Sequence, residues 1–388
     1  MNASTPVSPD SSALNVLWVI DHICYDGAIH AGGRLYWHLL PAFDPARVRV
    51  HPYFLRARAD VLAAFAGAPV AVTNLDKGKY DPTTLTTLLR LCREHRADVL
   101  HLFCHASSTF GRIVAAMTGV PTVVHDFDSE VYFPSPAYLD VVDRLLARYT
   151  GHAFAASSAC RDYMHAKRRI PADRIDVLAH AIPRERFATA ARLERPETRA
   201  ALRGELGWGP DEVVFFTPTK LGIDRGNELL VRAFARVAVA RPEARLVVWY
   251  KPTYYHRVPK EYAHLDGLHD VPAMRRALEA LARAEGVAGR VTLVEAAHPT
   301  EQPDRFYAAA DALVAPFQHA RFSSVDLFEG LAHGRAAITT ALGTQRELLH
   351  DGVDALLVPP GDETALAEAM TRLAADPALR LRLGAAAA

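Results

Sequence analysis

Short, nearly continuous apolar runs recur along the chain and alternate with segments whose apolar positions return every three or four residues. In the first half the runs fall at 15–20, 48–54, 70–73, 99–103 and 121–125, with amphipathic stretches such as 85–94 and 109–117 between them. Runs that are apolar on both faces predict strands of a parallel sheet covered by helices on each side. The second half repeats the pattern. Strands are predicted at 212–218, 245–250, 291–294, 312–315, 336–340 and 355–358, and helices at 227–239, 273–285, 324–332 and from about 363. Between the halves, residues 181–210 collect Pro183, Pro196, Gly204, Gly207, Gly209 and Pro210 among many charges, which reads as a linker and domain boundary. The expected fold class is α/β, with a disordered head at 1–13 and two doubly wound domains, 14–190 and 191–388, facing each other across a cleft. Ligands of such sheets bind outside the carboxyl ends of the strands.

Composition narrows the function classes. Of 388 residues, 50% are hydrophobic and 23% charged, which describes a globular chain long enough for two domains. Forty-four Lys and Arg balance 44 Asp and Glu, so no global field exists to hold nucleic acid, and any bound anion must be met locally. Cys24, Cys92, Cys104 and Cys160 show no C-x-x-C spacing, which argues against a zinc site or a disulfide framework and fits a reducing cytosol. No stretch of 18 apolar residues occurs and the start lacks the n- and h-regions of a leader, so a cytoplasmic protein without a transmembrane segment is expected, peripheral membrane contact being left open. No cluster of Asp, His or Cys stands at metal-binding spacing, and none forms a recognisable nucleophile arrangement.

Three local patterns could carry chemistry. After the first strand, DHICYDGAIHAGG (21–33) places Gly32 and Gly33 at a strand-to-helix turn, where backbone amides can approach an anion or simply make a tight turn. After the run 213–216, TPTKLGIDRG (217–226) leads into a helix and carries Lys220 and Arg225. These two cations beside a helix N-terminus could neutralise a diphosphate, or be two solvated charges. Glu329 falls near the start of a helix, as a dipole-favoured acid or as a carboxylate able to accept both hydroxyls of a ribose.

The segment FSSVDLFEGLAHGRAAITT (322–340), followed by GTQRE and DGVDALLVPPGD, resembles the C-terminal signature of the family 4 retaining glycosyltransferases with the GT-B fold. The likeness is strongest over 213–384. It reaches the first half through Gly32 and Gly33, through ADVLHLFCHASSTFGRIVAAMTGVPTVV (97–124), which runs into His125, and through 157–161. The resemblance implies two Rossmann-like domains and a nucleotide-sugar transferase. Lys220 and Arg225 match the basic pair that holds the donor diphosphate, with their identities exchanged. Glu329 matches the second glutamate of a Glu-x7-Glu motif, which binds the donor ribose. His125 matches a histidine beside the transferred sugar, and Gly33 matches the glycine loop near the diphosphate. Gly32, Arg321 and Ser324 complete the set expected around the donor. The implied reaction is retaining transfer of a hexosyl or N-acetylhexosaminyl group from a nucleotide diphosphate sugar, UDP-linked, to an unidentified acceptor, with no metal and no further cofactor. Four positions depart from the pattern. Arg321 stands where the motif has its first glutamate, KPTYYHRVPKEY (251–262) replaces a glycine-containing turn, 180–182 lacks the usual Asn-Gly, and the chain ends where relatives continue with a helix crossing back to the first domain. A degenerate protein that binds nucleotide sugar without transfer, or an epimerase using the same donor, remain alternatives, and the oligomeric state is not indicated.

Overall fold

The structure, a computed structural model, describes residues 13–22, 24–25, 28–29, 36, 39–57, 62, 71–126, 137–179, 181–182, 184–222, 225–251, 271–297, 301–318 and 325–388. The expected head at 1–13 lies outside these residues except for Ala13, which is buried just ahead of the first strand.

The chain divides into two compact units, one built mainly from 32–127 and 134–178, the other from 179–388. The first unit holds β1 (Leu14–Ile20); next in the chain comes the short ribbon of β2 (Cys24–Tyr25) and β3 (Ala28–Ile29), of which residues 25–31 group with the second unit. Then come β4 (Val48–Phe54), β5 (Thr73–Asn74), α1 (Thr83–Glu94), β6 (Val99–Phe103), α2 (His105–Thr118), β7 (Thr122–Asp126), α3 (Ala137–Leu146), β8 (His152–Ala155), α4 (Ser158–Ala166) and β9 (Ile175–Val177). Its sheet has the order β5-β4-β1-β6-β7-β8-β9 and every pair in it is parallel. The last four residues of β1 are buried, as a central strand covered on both faces requires. On one face Leu17, Val19, Leu100, Leu102, Val114 and Met164 form the core. On the other, Trp18, Tyr36 and Phe103 meet edge to face at 4.8–5.6 Å.

The second unit begins with α5 (Arg184–Leu193) and α6 (Pro196–Glu205), in the stretch read as a linker. The expected boundary at 190 falls inside α5. There follow β10 (Val213–Thr219), α7 (Asn227–Ala240), β11 (Ala244–Tyr250), α8 (Val271–Ala284), β12 (Val291–Glu295), α9 (Asp304–Ala309), β13 (Ala312–Ala315), α10 (Val325–Leu331), β14 (Ala336–Thr340), α11 (Gly343–Leu348), β15 (Leu356–Val358), α12 (Glu363–Ala375) and α13 (Pro377–Ala387). The order is β12-β11-β10-β13-β14-β15, again parallel throughout. Strands β10, β13 and β14 are buried along their whole length between two cores, one around Phe215, Phe234 and Leu366, the other around Phe216, Trp249 and Phe306. Helix α13 packs on β14 of its own unit, so closely that a Cβ on Gly384 would lie 2.0 Å from the Gly334 carbonyl. Among the described residues no helix is long and apolar enough to cross a membrane.

Candidate functional site

Written in chain order, the second sheet runs 3-2-1-4-5-6, so its strand order reverses between β10 and β13. At such a switch point the loops leaving two adjacent strands diverge to opposite faces and open a crevice for ligand. Lys220 leaves the end of β10, and Arg225 lies five residues on, just before α7. The loop between them is held from inside. The Lys220 carbonyl accepts hydrogen bonds from the Thr219 hydroxyl at 2.9 Å and the buried Asn227 amide at 3.0 Å, while the Arg225 N–H donates to Gly222 at 3.0 Å. Gly226 closes the loop at φ +68°, and a Cβ there would sit 2.1 Å from the Pro316 carbonyl at the end of β13. Only glycine permits that approach. The Arg225 guanidinium lies over the Phe317 ring at 5.3 Å, so the loop after β10 rests on the loop after β13.

Glu329 is carried by α10, the helix that follows β13, and is 4% exposed. The Tyr307 hydroxyl donates to the Asp326 carbonyl at 2.5 Å and pins the first turn of that helix. Arg186 of α5, 9% exposed, brings its Nε within 3.6 Å of Glu329 Oε1. Its Nη1 donates to Asp304 Oδ2 at 2.9 Å, and its Nη2 stands 2.5 Å from Oδ1. Behind Asp304 stand His333 at 3.5 Å, Glu194 at 3.4 Å from the other His333 nitrogen, and Arg335 paired with Glu194. Burial would raise the Asp304 carboxyl, but the facing His333 and Arg186 outweigh it and hold it below its ordinary value. Burial would likewise lower the Arg186 guanidinium, and Asp304 with Glu329 raises it instead. Arg335, with its charge desolvated, is pushed down to about 10.

His125 belongs to the first unit, near the carboxyl end of β7. It is buried in a stack with Phe103 at 5.0 Å, His101 at 5.8 Å and Phe154 at 5.8 Å. The next residue, Asp126, pairs with buried Arg168 at 2.6 Å and fixes the strand end. At the switch point of the first sheet, between β1 and β6, the Asp21 carboxylate accepts from the Ala106 and Ser107 N–H groups at 2.8 and 2.6 Å. The anion at the N-terminus of α2 is thus the protein's own. Cys104, just before that helix, takes φ +69° with extended ψ, a region that costs a side-chain-bearing residue about 1–3 kcal/mol.

Gly32, Gly33, Arg321 and Ser324 lie outside the described residues, as does His180. Of the aromatic, basic stretch 251–262 only Lys251 is described, buried with its amine 5.6 Å from the Trp249 ring. Lys220 and Arg225 share one loop, Glu329 stands on the helix after the neighbouring strand, and His125 is in the other unit. Sequence reasoning missed Arg186, because it falls in the supposed linker, and Asp304, which follows Pro303 with no motif around it. His333 was in plain view within the Glu-Gly-Leu-Ala-His-Gly segment.

Residues 31–181 match the family described as Glycosyl transferase 4-like domain, and residues 213–376 match Glycosyl transferases group 1. The chain is 30% identical over 218 residues to a D-inositol 3-phosphate glycosyltransferase of Xylanimonas cellulosilytica, an alignment covering 55% of this chain and 46% of that protein, so the match spans about half of that relative's length. It is 26% identical over 306 residues to an alpha-D-kanosaminyltransferase of Streptomyces kanamyceticus, covering 76% and 72%. Among solved structures it is similar to a glycosyltransferase from Rickettsia africae at a TM-score of 0.79 and 12% identity, covering 97% and 93% of the two chains. It is also similar to Anabaena HepE in complex with UDP, at 0.76 and 15%, covering 96% and 93%.

Proposed function

Because the chain belongs to the GT-B glycosyltransferases of the family 4 type, we propose that it transfers a hexosyl or N-acetylhexosaminyl group, with retention of configuration, from a UDP-sugar to a hydroxyl acceptor. What supports the donor side is one observation. The loop after β10 and the loop after β13 press together at the switch point of the second sheet, Gly226 against Pro316, with Lys220 and Arg225 on the first of them. In this reading the two cations neutralise the departing diphosphate, charge that develops as the glycosidic bond breaks and that fixed donors stabilise without reorganisation. Glu329 accepts the ribose hydroxyls, His125 lies beside the transferred sugar, and Gly32, Gly33, Arg321 and Ser324 complete the donor surroundings. The positive charge comes from side chains, so turnover is expected to persist in excess chelator. HepE was solved with UDP and with UDP-glucose, which is the ground for choosing UDP.

UDP release from a panel of UDP-, GDP-, ADP- and dTDP-sugars tests the reading. A UDP-sugar should be turned over, slowly to water and faster once an acceptor is found. D-inositol 3-phosphate is the first acceptor to try, given the name of one relative. Lys220→Ala and Arg225→Ala should each lower turnover by about tenfold or more, the loss of one charge-assisted contact, with unfolding midpoints little changed. Glu329→Ala should weaken UDP binding by a similar factor in calorimetry; wild-type affinity in that variant rejects the ribose assignment. A second reading, binding without transfer, is motivated by Arg321 in place of the first motif glutamate. Nucleotide binding with no release from any donor, with or without acceptors, would favour it.

A further inference from the structure

The donor reading gives Glu329 a task that demands a fixed carboxylate, and the structure assigns the fixing to a residue outside every motif: we propose that Arg186 is a positioning residue for the nucleotide ribose, setting the orientation of the Glu329 carboxylate. The proposal rests on Glu329 being the ribose ligand.

A glutamate side chain turns about three bonds, and two ribose hydroxyls select a carboxylate only when its oxygens are held to within about half an ångström. Burial on α10, with Tyr307 bonded to the Asp326 carbonyl, fixes the Glu329 backbone. Arg186 acts on the carboxylate itself. Its guanidinium is planar; Nη1 donates to one Asp304 oxygen at 2.9 Å and Nη2 stands 2.5 Å from the other, two contacts that set the plane, and the Nε edge faces Glu329 Oε1 at 3.6 Å. That separation is an ion pair longer than a hydrogen bond, so Arg186 orients the carboxylate without itself taking up a lone pair of the oxygen. Asp304 is itself backed by His333, Glu194 and Arg335, and Arg335 is tied to the Tyr307 carbonyl at 3.0 Å. The chain of charges therefore returns to the residue that pins α10. Such outer groups commonly decide how a ligand-binding side chain is presented.

A merely structural pair would make the same contacts, so the readout must be the ribose itself. The affinities of UDP and 2′-deoxy-UDP, measured by calorimetry on the full chain, give the preference for the hydroxyl. Wild type should prefer UDP. Arg186→Met should lose that preference by roughly tenfold while keeping its affinity for the deoxy analogue, and Arg186→Lys should recover part of it. If Arg186→Met misfolds, the Arg186→Met/Asp304→Leu double variant removes both buried charges together and should show the same lost preference. Arg186 variants that retain the preference, or that weaken both nucleotides equally, overturn the proposal while Glu329 stands. A wild type indifferent to the hydroxyl, or a Glu329→Gln variant that keeps the preference, overturns the ribose reading itself and Arg186 with it.

Discussion

At the scale of single residues, burial decides more than residue type does. His101 sits in the stack with Phe103, His125 and Trp18, and desolvation pushes its imidazole from the ordinary 6.5 down to about 3. In the folded chain it stays neutral where the unfolded chain binds a proton, so the cost is absent above pH 6.5 and grows as the pH falls towards 3. At about 1.4 kcal/mol per unit, it reaches roughly 2 kcal/mol at pH 5. His101→Phe fits the same aromatic stack and does not titrate. Its stability relative to wild type should therefore rise by about 2 kcal/mol between pH 7 and pH 5 in urea unfolding, and a constant difference would show that His101 does not titrate on unfolding. None of this is visible in the run ADVLHLF. The sequence marks His125 by its place at a strand end, and marks Lys220, Arg225 and Glu329 by loop and motif. What it hides is the company they keep: Arg186 meets Glu329 across most of the second unit, and an ion pair so distant leaves no local signal.

At the scale of elements, strands were legible because their runs are apolar on both faces, as in β10, β13 and β14, which are wholly buried. Helices α5 and α6 were not, for a reason that α6 makes plain. The one residue it buries outright is Arg203, while its Leu202 is only partly buried, so the apolar stripe that announces a helix is thin. Pro196, read as a breaker, sits in the first turn, where its missing N–H costs nothing. The Arg203 guanidinium donates to the carbonyls of Ala309, Gly209 and Glu212 at 2.7–2.9 Å and to Asp311 at 3.1 Å. Asp311 in turn accepts from the Val214 N–H of β10 at 2.8 Å. Arg203 thus adds to the partial packing of Leu202 a charge network between α6, the end of α9 and the first strand of the sheet. Arg203→Ala leaves Asp311 paired with Arg199 at 2.7 Å but strips three carbonyls of their donor, so it should cost about 1–3 kcal/mol in denaturant unfolding. Arg203→Met, which restores the stem but not the charge, should recover only a minor part. Full recovery would mean that the stem, not the charge, docks the helix.

At the scale of the whole molecule, similarity to solved glycosyltransferases at 12–15% identity shows how little of the fold depends on particular side chains. The pattern of apolar runs is enough to give two parallel sheets, and the loops at their carboxyl ends are then free to diverge. The side chains proposed to hold the diphosphate and the ribose, Lys220, Arg225 and Glu329, belong to the second unit, whereas the acid-sensitive His101 belongs to the first. Binding energy stabilises whatever must be folded to receive the ligand. UDP at a hundred times its dissociation constant should therefore add about 2.7 kcal/mol to the second unit and leave the first nearly unchanged. Calorimetry should resolve two transitions, each carrying its own mark: lowering the pH to 5 should move one, Arg203→Ala the other, and UDP should raise only the transition that Arg203→Ala lowers. Glu329→Ala should abolish that rise. If UDP instead raises the acid-sensitive transition, the nucleotide is held by the first unit, and the assignment of Lys220, Arg225 and Glu329 to the donor fails together.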